Sequence, residues 1–145
     1  MFNNIIVATD GSGDAVRAAE AASKIADCCG SRVTLLSVYS PPVITAPEIN
    51  LYDLEADAMR EMQDNVLVRT AQPFLKRSLT YETRTEVGNP AAAIMNVADE
   101  IKADLIVLGS HGVGGLRRFL LGSVSDRVGH YAHCTVLIVK QDNHS

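Results

Sequence analysis

The chain reads as an α/β protein, a three-layer fold in which an open, mostly parallel five-stranded sheet carries helices on both faces. Three observations predict this. Short apolar, β-branched-rich runs recur five times, as expected for strands buried on both sides. Segments with helical spacing or helix-start punctuation lie between them. The resulting order β-α-β-α-β-α-β-α-β is that of parallel strands joined by right-handed helical crossovers.

Each element has its own justification. "NIIVATD" at 4–10 is a continuous apolar run that ends on an acid. In "GSGDAVRAAEAASKIADCCG" (11–30), Ala15, Ala18, Ala19, Ala22, Ile25 and Ala26 share one helical face, and Gly30 supplies the left-handed stop. "SRVTLLSV" (31–38) is a second buried strand. "YSPPVITAPEIN" (39–50) holds three prolines without a period and reads as a loop. "LYDLEADAMREMQDNVLVRTAQPFLKRS" (51–78) is a long amphipathic helix with an interruption expected near Pro73. "YETRTEV" (81–87) alternates, as a strand with a solvated face near the sheet edge does. "GNPAAAIMNVADEIKA" (88–103) begins with Asn89 as N-cap and Pro90 in the first helical position. "DLIVLG" (104–109) is a fourth strand, "SVSDRVGHYA" (123–132) a short helix, and "TVLIVK" (135–140) the last strand.

Composition narrows the function classes. The 145 residues fit one domain, 1–145, long enough to bury roughly two-thirds of the surface of the unfolded chain. No repeat, linker or low-complexity tract divides it. Hydrophobic residues at 47% and charged residues at 21% are those of an ordinary globular chain. A net charge of −4 speaks against a nucleic-acid surface, and the doublet Arg117-Arg118 is too small to reverse that balance. Cys28, Cys29 and Cys134 are an odd set without CxxC spacing, read as small buried hydrophobes in a reducing compartment. His130, His133 and His144 have no metal-ligand spacing with them. No apolar run approaches the roughly 20 residues of a membrane span. "MFNNIIVATD" has neither a basic flank nor a signal-peptide core. The expectation is a soluble, cytoplasmic protein without membrane or nucleic-acid partners.

An open parallel sheet binds ligands beyond the carboxyl ends of its strands, so four loops merit inspection. The first, "TDGSGDAV", offers Gly11-x-Gly13, but Val16 stands where a dinucleotide fingerprint needs a small residue. Asp10 at the strand end repels a pyrophosphate and suits a ribose hydroxyl; alternatively Asp10 or Ser12 only caps the next helix. The fourth, "GSHGVGGLRRFLLGS" (109–123), is richer. It is no P-loop, since no lysine lies between 103 and 139. Its glycines permit a nest of inward N–H groups, and Gly122-Ser123 open a helix whose free N–H groups attract phosphate. Ser123 and Ser125 add hydroxyls. The plainer alternative is a glycine-rich turn with Ser123 as an N-cap. Leu120-Leu121 are expected to pack on the core, whereas Gly114 and Gly115 have no assigned role.

The pattern Gly109-x-x-Gly112-(nine residues)-Gly122-Ser123 is similar to the ATP-binding signature of the universal stress protein family. The resemblance extends over "IIVATDGS", "RVTLLSV", "GNPAAAI", "ADLIVLGSHG" and "LLGSVSDRV...HCTVLIVK", nearly the whole chain. It implies a flavodoxin-like, Rossmann-like strand order 3-2-1-4-5 and a homodimer joined through the last strand, Thr135-Lys140. It implies ATP as ligand; Asp10 is open to a Mg2+ ion accompanying the ATP or to the ribose. It places Thr9, Asp10, Val38, Leu108 and Gly109 at the adenine and ribose, Val38 through its backbone. It places Gly112, Gly122, Ser123, Val124 and Ser125 at the phosphates. Residues 39–58 depart from the family pattern. An exposed, two-sided apolar strand such as "TVLIVK" is hazardous uncovered, which independently favours pairing with a second copy.

Three functions follow. The first is a nucleotide-dependent homodimeric sensor or switch in the stress response, acting on a protein partner and without catalytic residues. The second is a slow ATPase or phosphotransfer enzyme using His111 and Asp10. The third is a nucleotide-independent dimeric scaffold. Ser-His-Asp elbow chemistry is absent from the sequence order, and both His111 and Arg117-Arg118 have a solvated-loop alternative.

Overall fold

Residues Asn4–Thr9 form β1, the middle strand of the sheet, in a computed structural model that describes residues 1–40, 52–111 and 122–140. After it come α1 (Gly13–Cys29), β2 (Arg32–Tyr39), α2 (Tyr52–Lys76), β3 (Glu82–Val87), α3 (Pro90–Ile101), β4 (Leu105–Gly109), α4 (Ser123–Tyr131) and β5 (Thr135–Val139). The sheet order is β3-β2-β1-β4-β5, and every neighbouring pair is parallel. This is the flavodoxin-like order 3-2-1-4-5 that the resemblance implies. Gly112, Gly114, Gly115, Arg117, Arg118, Leu120, Leu121, His144 and the proline loop from residue 41 lie outside the described residues, as does Lys140's continuation beyond the last strand.

The two-sided apolar strands explain the layers. Ile5, Val7, Val33, Leu35, Leu105 and Val107 point to one face, where they meet Ala18, Ala19, Ala22 and Ala26 of α1 and Leu67, Ala71 and Phe74 of α2. Ile6, Ala8, Leu36, Ile106 and Leu108 point to the other, against Ala91, Ile94, Val97 and Ala98 of α3 and Val128 of α4. The alternation of one strand thus feeds both cores. The alanine face of α1 brings that helix close to the strands, which matters at the site below.

The end signals act as read. Ser12 caps α1, its Oγ accepting the Ala15 N–H at 3.2 Å, and Gly30 closes the helix with φ 65°. Asn89 caps α3 by accepting the Ala92 N–H at 3.0 Å, with Pro90 first in the helix. β3 sits at the sheet edge with its side chains half to fully exposed. There Arg84 pairs with Glu86 at 2.9 Å and with Glu100, which raises the Arg84 guanidinium and lowers the Glu100 carboxyl from their ordinary values.

Two expectations are corrected. α2 is not interrupted at Pro73 but runs on to Lys76. Pro73 stands in the final turn, where only one helical hydrogen bond is forfeited, and fully buried Phe74 anchors the segment. The cysteines are not all buried. Cys28 is exposed and Cys29 half-buried, because Ala26 occupies the inward position of that turn. Cys134 is half-buried at the start of β5; burial pushes its thiol up, with the Asp104 and Asp99 carboxylates adding to the effect. Among the described residues, no helix is long and apolar enough to cross a membrane.

Candidate functional site

The central strands separate before they end. β1 pairs with β4 only as far as Val7↔Val107, although β1 stays paired with β2 to Thr9↔Ser37 and β4 with β5 to Gly109↔Val139. Strand order reverses here, and the chain leaves β1 and β4 toward opposite faces. The crevice holds a cavity of about 440 Å3, within the usual size of a small-molecule site.

One wall is apolar, formed by Ala8, Leu36, Val38, Pro90, Ile94 and Leu108. The other end is polar, with Asp10, Ser12, Ser110, His111 and the segment Gly122–Ser125. Of the ten positions singled out from the sequence, the structure brings Thr9, Asp10, Val38, Leu108, Gly109, Gly122, Ser123, Val124 and Ser125 to this one cavity. The tenth, Gly112, lies outside the described residues.

Two helices start at the polar end, and they differ in charge. The start of α1 is already satisfied: Ser12 caps it, Asp10 Oδ1 accepts the Ser12 N–H at 2.9 Å, and Asp14 adds a carboxylate in the first turn. The start of α4 has Gly122 as its N-cap, which brings no side-chain bond to the helix. The first-turn N–H groups of Ser123, Val124 and Ser125 have no acceptor within their own helix, and the helix dipole adds positive potential there. An anion is therefore favoured at α4 and disfavoured at α1, whereas a hydroxyl donor suits the Asp10 end.

The glycines have tighter structural reasons than a sequence reveals. A Cβ on Gly109 would stand 2.7 Å from Asp14 Cβ and 2.8 Å from the Asp14 carbonyl carbon, so only glycine lets α1 pass the end of β4. A Cβ on Gly122 would stand 3.1 Å from the Ser110 carbonyl oxygen. That oxygen accepts the Gly122 N–H at 2.6 Å and the Ser125 hydroxyl at 2.9 Å. The Gly122 N–H and the Ser125 hydroxyl proton thus tie α4 to β4, which leaves the ligand side to the N–H groups of residues 123–125 and the exposed Ser123 hydroxyl. Thr9 is similarly committed. Thr70 Oγ1 donates to Val66 O at 2.7 Å, so Thr9 Oγ1 donates to Thr70 Oγ1 at 2.8 Å while accepting the Gly11 N–H at 3.1 Å.

Asp10 and His111, paired in the enzyme alternative, both line the cavity, and Asp14 and Ser110 join them there without having been assembled from the sequence. Asp14 is almost fully buried; its Oδ2 accepts the Ser110 hydroxyl at 3.3 Å and the His111 N–H at 3.2 Å, and its Oδ1 accepts Arg17 Nη1 at 3.0 Å. His111 is no solvated loop histidine: its side chain is 14% exposed and packs beside Asp14 and Ser110. The only sequence signal was proximity to strand ends, which does not pair residues so far apart in the chain. Among the described residues no group of three His, Cys, Asp or Glu could hold a metal ion; His130 instead pairs with Asp126 and His133 with Asp99. Mg2+ bound through phosphates needs only one or two protein carboxylates, and Asp10 is a carboxylate among the described residues of the cavity wall.

Comparison with known proteins agrees with this geometry. A family model described as the universal stress protein family matches residues 1–140. The universal stress protein MJ0531 of Methanocaldococcus jannaschii is 34% identical over 97% of this chain and 84% of its own length. A universal stress protein solved in complex with cAMP superposes with a TM-score of 0.70 at 28% identity, covering 97% of this chain and 99% of that one. The universal stress protein from Archaeoglobus fulgidus solved with dAMP gives a TM-score of 0.65 at 26% identity, covering 95% and 98%. With the match running through every strand and helix described above, the chain belongs to the universal stress protein family.

Proposed function

We propose that the chain is an adenine-nucleotide-binding regulatory protein that takes ATP and works as a homodimeric switch in the cytoplasmic stress response. One observation carries the reading: a single cavity joins an apolar wall, a carboxylate and a helix start without a side-chain cap. The base would lie along Val38, Leu108 and Ile94. The ribose would meet Asp10, and the phosphates the N–H groups of Ser123, Val124 and Ser125, with Gly112 beyond them. Mg2+ would accompany the phosphates, and the ion's chemistry there is charge neutralisation. Two relatives of the same fold were solved with adenine monophosphates, cAMP and dAMP, which supports the adenine class.

A binding role fits this wall better than rapid turnover. Fast phosphoryl transfer asks for a fixed cation and a positioned water at the moving phosphate. The described cavity residues offer backbone N–H groups and hydroxyls in that place. Ligand binding would then act by ordering the neighbouring loops and changing the surface offered to a protein partner.

The test is nucleotide found on the protein as purified, followed by calorimetry with ATP after its removal. Adenine nucleotide in the supernatant of heat-denatured protein, and saturable heat on adding ATP, are expected. No heat and no thermal shift at millimolar ATP would leave a nucleotide-independent scaffold as the answer.

A further inference from the structure

We propose that Arg69 and Thr70 of α2 are positioning residues that clamp Gly11 from outside the cavity, and so hold the loop between β1 and α1, with Asp10 on it, where a sugar hydroxyl is read. Both polar groups of the Gly11 backbone lead to α2. Its N–H donates to Thr9 Oγ1 at 3.1 Å, Thr9 Oγ1 donates to Thr70 Oγ1 at 2.8 Å, and Thr70 Oγ1 donates to the Val66 carbonyl of its own helix at 2.7 Å. Its carbonyl accepts Arg69 Nη1 at 2.9 Å. Gly11 itself turns directly against the helix: its φ is 79°, and a Cβ there would stand 3.0 Å from Val66 Cγ2. The hydroxyl chain is buried, with Thr70 0% and Thr9 7% exposed. Each hydroxyl has one proton, so the chain runs in one direction, from loop to helix. Removing the Thr70 hydroxyl leaves the Thr9 proton without its acceptor.

The clamp reaches Asp10 through the turn. Asp10 Oδ1 accepts the Ser12 N–H at 2.9 Å, across the peptide groups of Gly11. Where α2 holds Gly11, it therefore sets the carboxylate as well. Asp10 is exposed, whereas Gly11 beside it is buried. Among the described residues Asp10 borders two cavities. One is the crevice of about 440 Å3; the other, of about 430 Å3, lies between the loop and α2 and is lined also by Glu61, Asn65 and Arg69. The loop thus has room to shift once the clamp is cut. Arg69 and Thr70 stand 58 and 61 positions from their partners in the chain, so α2 acts on the loop as a strut from another part of the fold. The assignment of a sugar hydroxyl rests on the nucleotide reading, whereas the clamp does not.

Amide hydrogen exchange read by NMR on the full chain, without ligand, tests the clamp. The Gly11 amide is expected to exchange about tenfold or more faster in Thr70→Val and in Arg69→Gln, while the Val7 amide in β1 keeps its native rate. Thr70→Ser retains the hydroxyl and is expected to keep the native rate at Gly11. A native Gly11 rate in either of the first two variants would overturn the role given to that residue, and Arg69→Gln, at an exposed position, decides the matter if Thr70→Val does not fold. Calorimetry with ATP and with 2′,3′-dideoxy-ATP tests what the clamp is for. The native chain is expected to favour ATP, and Arg69→Gln to lose about tenfold for ATP while binding the dideoxy nucleotide as before. Equal weakening of both, as a merely structural role would give, or no preference in the native chain, would overturn the sugar assignment. Faster Gly11 exchange in variants of a chain that binds neither nucleotide would support the clamp and sink only the nucleotide reading.

Discussion

At the residue scale the site depends on contacts between distant parts of the chain. Gly109 is the sharpest case. From the sequence it belongs to a ligand signature; in the fold its missing Cβ is the space taken by Asp14. Gly109→Ala forces α1 or β4 to move and should lower stability by about 1–3 kcal/mol, read as an earlier midpoint in urea. A native midpoint would show that the close passage is relaxed without cost. The residue types at the strand ends, Asp10, Ser12 and the glycines, were legible because their chemistry is local. The partnership of Asp14 with Ser110, 96 positions away, was not. Periodicity places each on its own element but carries no sign that the first turn of α1 meets the end of β4.

At the element scale the two helix starts divide the work. α1 begins with its own cap and two acids, α4 with a glycine that leaves the first turn to other acceptors. A carboxylate at exposed position 123 separates stability from binding. Ser123→Glu complements the dipole and should stabilise α4 by about 0.3–1 kcal/mol. The same charge opposes phosphate and should weaken ATP by about tenfold or more, a Coulomb cost of a few kcal/mol at short range near a surface. Thermal melting and calorimetry on one preparation check the split; equal affinity in native and variant chains would remove α4 from the phosphate site. Helices with internal punctuation, α1 and α3, were legible from Gly30, Asn89 and Pro90, and of the two cap candidates for α1, Asp10 and Ser12, the cap is Ser12. The continuity of α2 was not, because a proline rule judges the backbone bond alone, whereas burial of Phe74 decides the outcome.

At the scale of the whole molecule, the order 3-2-1-4-5 places β3 and β5 at the two edges of the sheet. Their sequences differ as their protection does. β3 carries charges, whereas the Val136, Leu137, Ile138 and Val139 side chains of β5 are all partly exposed apolar groups. Val139 O bonds inward to Ser110, so the alternation of a parallel ladder turns the polar backbone of Ile138 outward. An apolar edge with no further strand beside it among the described residues invites a second copy. Light scattering should therefore give twice the 15.6 kDa of one chain; a monomer mass at all accessible concentrations would remove the dimer from the account. Everything proposed for the molecule converges on the cavity where β1 and β4 part. Isothermal calorimetry of ATP into the nucleotide-free chain is expected to show saturable binding at one site per chain, weakened by Ser123→Glu; absence of heat with millimolar ATP would show that the cavity is not a nucleotide site.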